Sequence, residues 1–237
     1  MIPIKDDQPR FSTPFITYVL VAINVVVFLF ELSVGAQGQR ALNAFIEEFG
    51  VVPSHFTNAL NGHYALPFVG LFIPVLTSMF LHASWLHILG NMWVLWIFGD
   101  NIEDYLGHFT YLVFYLVCGC AASITYIALN LGSNVPSVGA SGAIAGVMGA
   151  YFLLYPKARV LTLVPFLIFF TMWLPAWVVL GYWFLTQFMS GATSIAFSSQ
   201  TRGGGIAFWA HVGGFVAGIV MIKLFPQRAY GRRYATW

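Results

Sequence analysis

Apolar residues along the chain occur in long runs that contain no charged side chain. These runs cover 11–30, 49–99, 105–156, 160–201 and 203–222. A helix that crosses a bilayer needs about 20 mostly apolar residues. Each run can hold at least one such helix, so the pattern predicts a polytopic helical membrane protein.

Six helices account for this pattern, and the sequence predicts them near 13–33, 75–99, 106–129, 139–156, 173–190 and 206–225. The run 160–201 could instead hold two spans, which would make seven helices. Pro165 and Pro175 interrupt it, however, and two spans would leave almost no turn. We therefore expect 160–172 to be an apolar connection that follows the membrane interface before helix five.

The basic residues favour six helices over seven. With the N-terminus inside, eight of the ten Lys and Arg residues fall on the cytoplasmic side, as the positive-inside rule expects. Only Arg40 and Arg202 fall outside. A seventh helix would move the basic residues of the C-terminal segment to the outside. The charge distribution therefore predicts that both termini are cytoplasmic.

The predicted fold is an all-α, six-transmembrane-helix bundle that forms a single membrane domain over 1–237. Its core covers about 13–225, between short cytoplasmic tails at 1–12 and 226–237. A long outer loop, 34–74, joins helices one and two, and a short amphipathic helix is predicted within it from Ala41 to Phe49. Long loops in small proteins are often functional.

Composition excludes several other classes of protein. Charged residues make up 8% of the chain and the mean hydropathy is +0.80, whereas soluble domains carry roughly 25% charged residues. The net charge is only +2, and the sequence shows no feature typical of nucleic-acid binding. The first apolar run lacks a cleavage signal and predicts a retained helix. Cys118 and Cys120 are interpreted as buried free thiols.

Polar residues inside these apolar segments are the best functional candidates, because they are costly in a membrane. In the six-helix topology His82, His87 and Asn91 occupy the outer half of helix two. Ser141 begins helix four at its outer end, and His211 lies in the outer half of helix six. All five side chains are therefore expected at a similar depth.

Small residues continue the helix faces that carry Ser141 and His211. These stripes are Ser141, Ala145 and Gly149 on helix four, and His211, Gly214 and Gly218 on helix six. Residues at such spacings share one helix face, and small residues let membrane helices cross closely. We expect the hydroxyl and the imidazole to come within reach of each other.

This pair of residue types predicts acyl-transfer chemistry. A neutral histidine can take the proton of a serine hydroxyl near neutral pH. The oxyanion that forms needs donors already in place. Unpaired backbone N–H groups at the start of helix four, the Asn91 amide and His87 can supply them. No acidic residue is placed behind His211, so the sequence predicts a Ser141–His211 dyad.

Other interpretations of these residues are weaker. The histidines His82, His87 and His211 could suggest a metal, but there is no H-E-x-x-H motif, and a spacing of five makes His82 and His87 diverge on a helix. We predict no metal and no cofactor. Gly139 and Gly142 flank the serine motif and allow close backbone approach, but Ala143 replaces the second glycine of a hydrolase elbow.

Together these motifs resemble those of the rhomboid intramembrane serine proteases. They are His82-x4-His87-x3-Asn91, Gly139-Ala140-Ser141-Gly142, Ala210-His211-x2-Gly214, Gly99-Asp100-Asn101-Ile102-Glu103 and Pro175-Ala176-Trp177. The resemblance covers about 70–225. It implies Ser141 as nucleophile, His211 as base, and Asn91, His87 and the Ser141 backbone N–H as oxyanion donors.

The resemblance also implies a structural hydrogen-bonding role for Glu103 and a position partly in the outer leaflet for the loop 34–74. The implied substrates are single-pass membrane proteins, cut in or near their transmembrane segment in the lipid bilayer. A bacterial inner membrane is the predicted location. The sequence does not define the oligomeric state.

Two positions depart from the family pattern. Ile73-Pro74 replaces a Trp-Arg pair that many rhomboids carry before the first histidine. Ala145 replaces the Tyr or Phe that many carry four residues after the serine, where the aromatic ring stacks on the histidine. His211 must therefore be oriented by another group.

Two other functions are open at this point. A catalytically silent rhomboid-like protein would bind membrane proteins without cutting them, although Ser141 and His211 are both retained. A transporter or channel could line its path with the three histidines. The absence of any Asp, Glu, Lys or Arg at mid-membrane depth weakens that alternative.

Overall fold

The computed structural model describes residues 1–62, 68–165, 169–196 and 206–226. Its elements, in chain order, are β1 (Ile2–Asp6), α1 (Phe15–Gly35), α2 (Gln39–Phe49), α3 (Pro53–Leu60), α4 (Phe72–Thr77), α5 (Trp85–Leu106), α6 (His108–Leu129), α7 (Ser141–Leu154), β2 (Arg159–Pro165), β3 (Phe169–Pro175), α8 (Ala176–Ala196) and α9 (Ile206–Met221). The mostly helical fold that the apolar runs predicted is confirmed. The predicted tail 226–237 lies outside the described residues except for its first residue.

Within the described residues, two helices are long and apolar enough to cross a membrane, namely α1 and α6. Together, the segment Phe72–Phe80, which contains α4, and the helix α5 are also long and apolar enough to cross a membrane. They would form one broken span, with a bend of 87° between its two parts. This gives two or three candidate spans. The apolar helices α7 and α9 are shorter, and the six-span topology stays a prediction.

The predicted boundaries of helix two, 75–99, are wrong. The chain bends sharply after Phe80, and α5 begins only at Trp85. Ser84 caps the new helix, because its hydroxyl oxygen accepts a hydrogen bond from the backbone N–H of His87 at 3.2 Å. His82 consequently lies in the turn before α5 and not on the helix.

The all-α prediction is also incomplete, because three segments form an antiparallel sheet in the order β1–β2–β3. Ile2 pairs with Leu163, and Arg159 of β2 pairs with Pro175 of β3. In the segment 160–172, predicted as an interfacial connection, the described residues belong to the paired strands β2 and β3. The segment 1–12, predicted as a tail, contains β1, which pairs with β2.

The sheet is attached to the helices on both sides. Trp93 of α5 donates its indole N–H to the carbonyl oxygen of Pro3 at 2.7 Å. Asn101, two turns further along α5, donates to the Asp6 carboxylate at 3.3 Å. At the other side, β2 and β3 contact α8, which follows β3 without a break. The sheet therefore bridges α5 and α8.

The centre of the fold is α7, whose residues 142–151 are all buried. It packs against α5, α6, α8 and α9, and its crossing with α9 is the closest. A Cβ atom on Gly149 would overlap the carbonyl oxygen of Phe215, and one on Gly218 would overlap that of Gly146. The two backbones meet along these small residues, which holds the start of α7 beside α9.

The long joint between α1 and α5 contains the helices α2, α3 and α4. The amphipathic segment forms α2, with α3 after it. Val51 and Ser137 then exchange backbone hydrogen bonds of 3.0 and 2.8 Å. This contact ties the joint to the segment just before α7, and so to the candidate site.

Candidate active site

A tight turn presents Ser141 at the first position of α7. Gly139 adopts a φ of +130°, which L side chains rarely tolerate. Its N–H donates to the carbonyl oxygen of Ser78 at 2.8 Å, which fixes the turn. The hydroxyl of Ser141 therefore stands beside the first backbone N–H groups of α7, which have no partner within the helix.

The imidazole of His211 lies against this hydroxyl. Its Nε2 atom is 2.8 Å from the Oγ atom of Ser141. The two residues are 70 positions apart in the chain, and the glycine-lined crossing of α7 and α9 brings them together. Both are only partly buried, so the pair is open to a reacting molecule.

Two residues of α8, Gln187 and Trp183, contact the His211 ring, and neither was predicted from the sequence. The Nδ1 atom is 2.8 Å from Oε1 of Gln187. The ring of Trp183 lies 5.7 Å from the imidazole centroid at an interplanar angle of 37°. Gln187 and Gln200 are the only amide side chains in the charge-free run 160–201, and Gln187 lies one turn after Trp183. This spacing is the signal that could have identified the pair.

The three polar residues that precede Ser141 in the chain also lie together. Asn91 places its Nδ2 atom 2.9 Å from Nε2 of His82. The rings of His82 and His87 are 5.1 Å apart. The expectation that these two histidines diverge is wrong, because His82 precedes the helix and folds back onto it.

His87 in turn faces the turn that carries the serine. A Cβ atom on Gly139 would lie 2.7 Å from Nε2 of His87, so only glycine lets the imidazole approach so closely. An amide nitrogen can only donate, so Asn91 donates one hydrogen to His82 and keeps its second hydrogen free. His82, His87 and Asn91 thus form one connected group beside the start of α7.

Glu31 of α1 binds the turn that carries His82, a role that was not predicted from the sequence. Its carboxylate is buried and accepts the backbone N–H of His82 through both oxygens, at 3.2 and 3.0 Å. A buried carboxylate is costly unless it is hydrogen-bonded. The contact fixes the turn before α5, on which His82 depends.

Glu103 lies at the opposite end of α5 and holds the start of α1. Its carboxylate is fully buried. It accepts the N–H groups of Ile16 and Thr17 at 2.8 Å each, and the Thr17 hydroxyl at 2.7 Å. His108 Nδ1 is 2.5 Å away. Negative charge is favourable at a helix N-terminus, so this contact joins α1, α5 and α6.

A polar cavity adjoins the serine–histidine pair. Its lining includes Ser141 and His211 together with the hydroxyl-bearing residues Ser78, Ser123 and Ser137. Cavities that hold water need several polar partners. The lining therefore suits a water molecule next to the hydroxyl of Ser141.

No group of three or more His, Cys, Asp or Glu residues within the described ranges is arranged to hold a metal ion. The histidines His82, His87 and His211, considered above as a possible metal site, are not part of such a cluster within these ranges. The contacts of these histidines run instead to Asn91, Gln187 and Ser141.

Comparison with known proteins agrees with these motifs. Residues 70–228 match the Rhomboid domain family. The chain belongs to the rhomboid family. The resemblance inferred from the sequence motifs is therefore confirmed, and with it the assignment to a family of membrane proteins.

Individual relatives of this rhomboid come from several organisms. It is 31% identical to the mitochondrial Rhomboid protein 1 of Saccharomyces cerevisiae, over 62% of this chain and 40% of the relative. It is 30% identical to the chloroplastic Rhomboid-like protein 11 of Arabidopsis thaliana, over 64% of this chain and 51% of the relative. A third relative is the human mitochondrial Presenilin-associated rhomboid-like protein, 38% identical over 36% of this chain and 23% of the relative. The match spans about half or less of each relative's length.

Ala145 occupies the position at which the family pattern described above has an aromatic residue. Ala145 is fully buried, and its Cβ atom faces Gly214 across the α7–α9 crossing. A larger side chain at this position would have to pack into the close crossing of α7 and α9. The aromatic contact to His211 comes from Trp183 on a different helix.

Proposed function

We propose that this rhomboid is an intramembrane serine endopeptidase in which Ser141 is the nucleophile and His211 the general base. The observation that carries the proposal is the distance of 2.8 Å between Ser141 Oγ and His211 Nε2. This is a normal hydrogen-bond length for proton transfer from a hydroxyl to an imidazole. It occurs between two partly exposed residues beside a polar cavity.

The proposed reaction has two halves. His211 takes the hydroxyl proton as Ser141 Oγ attacks the peptide carbonyl carbon, and the protonated imidazole then gives that proton to the leaving amine. This releases one product and leaves an ester on Ser141. A water molecule, deprotonated by His211, attacks the ester, and the proton returns to Ser141 as the second product leaves.

The negative charge on the carbonyl oxygen needs hydrogen-bond donors in the transition state. The candidates are the backbone N–H of Ser141, the free amide hydrogen of Asn91 and the imidazole of His87. The contact of His87 with Gly139 and the Asn91–His82 hydrogen bond support this assignment. The α7 N-terminus adds the favourable end of the helix dipole.

The proposed substrates are single-pass membrane proteins, cut in or near their membrane-spanning segment. The apolar helices around the site support this class, because a substrate of the same polarity can share their bilayer. The proposed topology has six spans with both termini cytoplasmic. The relatives named above are mitochondrial and chloroplastic, and they do not support the predicted bacterial inner membrane.

A serine-directed fluorophosphonate tests this proposal in detergent, alongside cleavage of a model transmembrane substrate. We expect the wild-type protein to label and cleave, and Ser141→Ala and His211→Ala to lose cleavage while keeping their melting temperatures. Ser33→Ala is the control and should be neutral, because Ser33 is an exposed serine of α1 whose hydroxyl donates to the carbonyl oxygen of Phe30. Cleavage by purified Ser141→Ala would overturn the mechanism. A wild-type protein that neither labels nor cleaves would favour the catalytically silent binding protein.

A further inference from the structure

Both ring nitrogens of His211 are in hydrogen-bonded contact. Nε2 faces the Ser141 hydroxyl and Nδ1 faces Gln187, each at 2.8 Å. A neutral imidazole carries one proton, so one nitrogen donates and the other accepts. Only the form with the proton on Nδ1 leaves Nε2 free to take a proton from Ser141. The hydrogen-bond partner of Nδ1 therefore determines whether His211 can act as a base.

The orientation of the Gln187 amide follows from its neighbour on α8. The Thr186 hydroxyl donates its single hydrogen to the carbonyl oxygen of Trp183 at 2.7 Å. Its oxygen can therefore only accept from Gln187, whose Nε2 atom lies 3.3 Å away. This contact turns the Gln187 nitrogen away from His211 and leaves Oε1 facing the imidazole.

The amide oxygen has no hydrogen to give, so His211 Nδ1 must be the donor. The chain of hydrogen bonds then has one direction throughout: Ser141 donates to His211, His211 donates to Gln187, and Gln187 donates to Thr186. The opposite amide orientation would place an N–H group against Nδ1. It would leave the proton on Nε2, where it would face the serine oxygen and block base catalysis.

We propose that Gln187 is a positioning residue that fixes the Nδ1–H tautomer of His211, with Thr186 holding the amide in the required orientation. Trp183 restricts the tilt of the ring from the same helix. Gln187 occupies the place behind the histidine that a carboxylate occupies in Ser-His-Asp triads. Being neutral, it orients the imidazole without adding a charge. The kinetic part of this inference rests on the proposed protease function.

The first test compares a substitution that removes the oxygen acceptor with one that keeps it. Gln187→Met keeps the length of the side chain and removes the acceptor, whereas Gln187→Glu keeps an oxygen at that place. We expect Gln187→Met to lower kcat roughly 10- to 100-fold, the range typical when a metal-binding histidine loses the hydrogen-bond partner that orients it, with little change in KM or melting temperature. Gln187→Glu should recover most of that loss.

Thr186 offers a second, milder variant with an internal control. Thr186→Val removes the oxygen that orients the Gln187 amide, and we expect a several-fold fall in kcat. Thr193→Val makes the same change on α8, at an exposed hydroxyl that donates to Ser190 in the same manner, and should leave kcat unchanged. Equal effects of the two valine variants would contradict the role of Thr186.

The second test does not depend on proteolysis. Protein labelled with nitrogen-15 histidine reports which ring nitrogen carries the proton, and loss of signals in His211→Gln assigns the His211 resonances. We expect protonated Nδ1 and unprotonated Nε2 in the wild type and in Ser141→Ala, and a mixture of tautomers in Gln187→Met. A wild-type Nε2–H tautomer, or the wild-type tautomer retained in Gln187→Met together with wild-type kcat, would overturn the proposal. Absence of cleavage with the expected tautomers would instead count against the protease function alone.

Discussion

Gly218 of α9 and Gly146 of α7 touch backbone to backbone, so that a Cβ atom on Gly218 would overlap the carbonyl oxygen of Gly146. Gly214 stands in the same relation to Gly142, one turn closer to the site. Both contacts join the helices that carry the serine and the histidine. The separation of the proposed dyad therefore depends on the absence of side chains at these positions.

Gly218→Ala should lower both the melting temperature and the cleavage rate, and Gly214→Val and Gly218→Val should do so more strongly. Overpacking of this kind typically costs about 1–3 kcal/mol. Melting curves and initial rates in one detergent measure the effect.

Gly90→Ala is the matched control for these glycine variants, since a Cβ atom there meets open space within a helix. Replacing glycine by alanine in a helix is otherwise favourable by roughly 0.5–1 kcal/mol. If Gly218→Ala melts and cleaves like Gly90→Ala, the close crossing is not what sets the site.

Ala145→Tyr, which restores the aromatic residue common among rhomboids, should lower thermal stability and should not raise turnover. Ala145 is fully buried against Gly214, and Trp183 already contacts the His211 ring. The overpacking cost of about 1–3 kcal/mol exceeds the roughly 0.5–1.5 kcal/mol of an aromatic pair. Melting temperatures and initial cleavage rates of the variant and the wild type, measured in the same detergent, test this expectation. A variant both more stable and faster would mean that the site has room for the ring.

Asn91→Ala should lower turnover by roughly 10²–10³-fold, the usual effect of losing one oxyanion donor, while fluorophosphonate labelling of Ser141 persists. The free amide hydrogen of Asn91 is the group lost. Asn43→Ala on the exposed face of α2 is the control and should be neutral. Unchanged turnover in Asn91→Ala would show that this side chain does not donate in the transition state.

Asp6 should make the stability of the protein depend on pH. Burial raises the pKa of Asp6 from 3.8 to about 7, although the hydrogen bond from the Tyr151 hydroxyl, 2.5 Å away, opposes this shift. The folded protein therefore holds a proton that the unfolded chain releases. Because the folded state binds more protons, stability falls as pH rises from about 4 to about 7, and it levels off above that range.

Melting temperatures from pH 4 to pH 8 check this expectation. Asp6→Asn removes the titrating group while keeping an oxygen acceptor for Tyr151, so its melting temperature should vary less over this interval. The same pH slope in Asp6→Asn and in the wild type would assign the dependence to another group.

The positions of the six predicted helices could largely be derived from the sequence, because each lies mainly within one charge-free run. The start of α5 could have been predicted as well. Ser84 is a good N-cap residue, and it precedes the first residue of the helix. The apolar run continues through Pro74 and the sharp bend, so hydropathy alone extended the helix too far back.

The sheet could not be predicted in the same way. Strands β2 and β3 are apolar and read like part of a membrane segment, whereas β1 is a short, partly charged stretch near the N-terminus. Lys5 lies 5.8 Å from the ring of Trp173 across this sheet. Pairing between segments so distant in sequence leaves no local signal, because each strand is stabilised by its partner.

The candidate site was predictable where spacing and residue type both pointed to it. Ser141 and His211 stand out as polar residues on small-residue stripes. Gln187 does not stand out, because a single glutamine in an apolar helix can have many structural roles. Whether its side chain faces His211 depends on the rotation of α8 about its axis. Glu31 was overlooked because its partner is a backbone N–H, which sequence composition does not reveal.

The position of β1 also constrains how the chain is assembled during synthesis. Asp6 pairs with Val160, which the ribosome adds more than 150 residues later. At about 5–20 residues per second, the first strand waits roughly 8–30 s for its partner. Helices α1 to α7 are made in that interval while the backbone groups of β1 have no strand to pair with. β1 can therefore pair with β2 only after α1 to α7 have been synthesised.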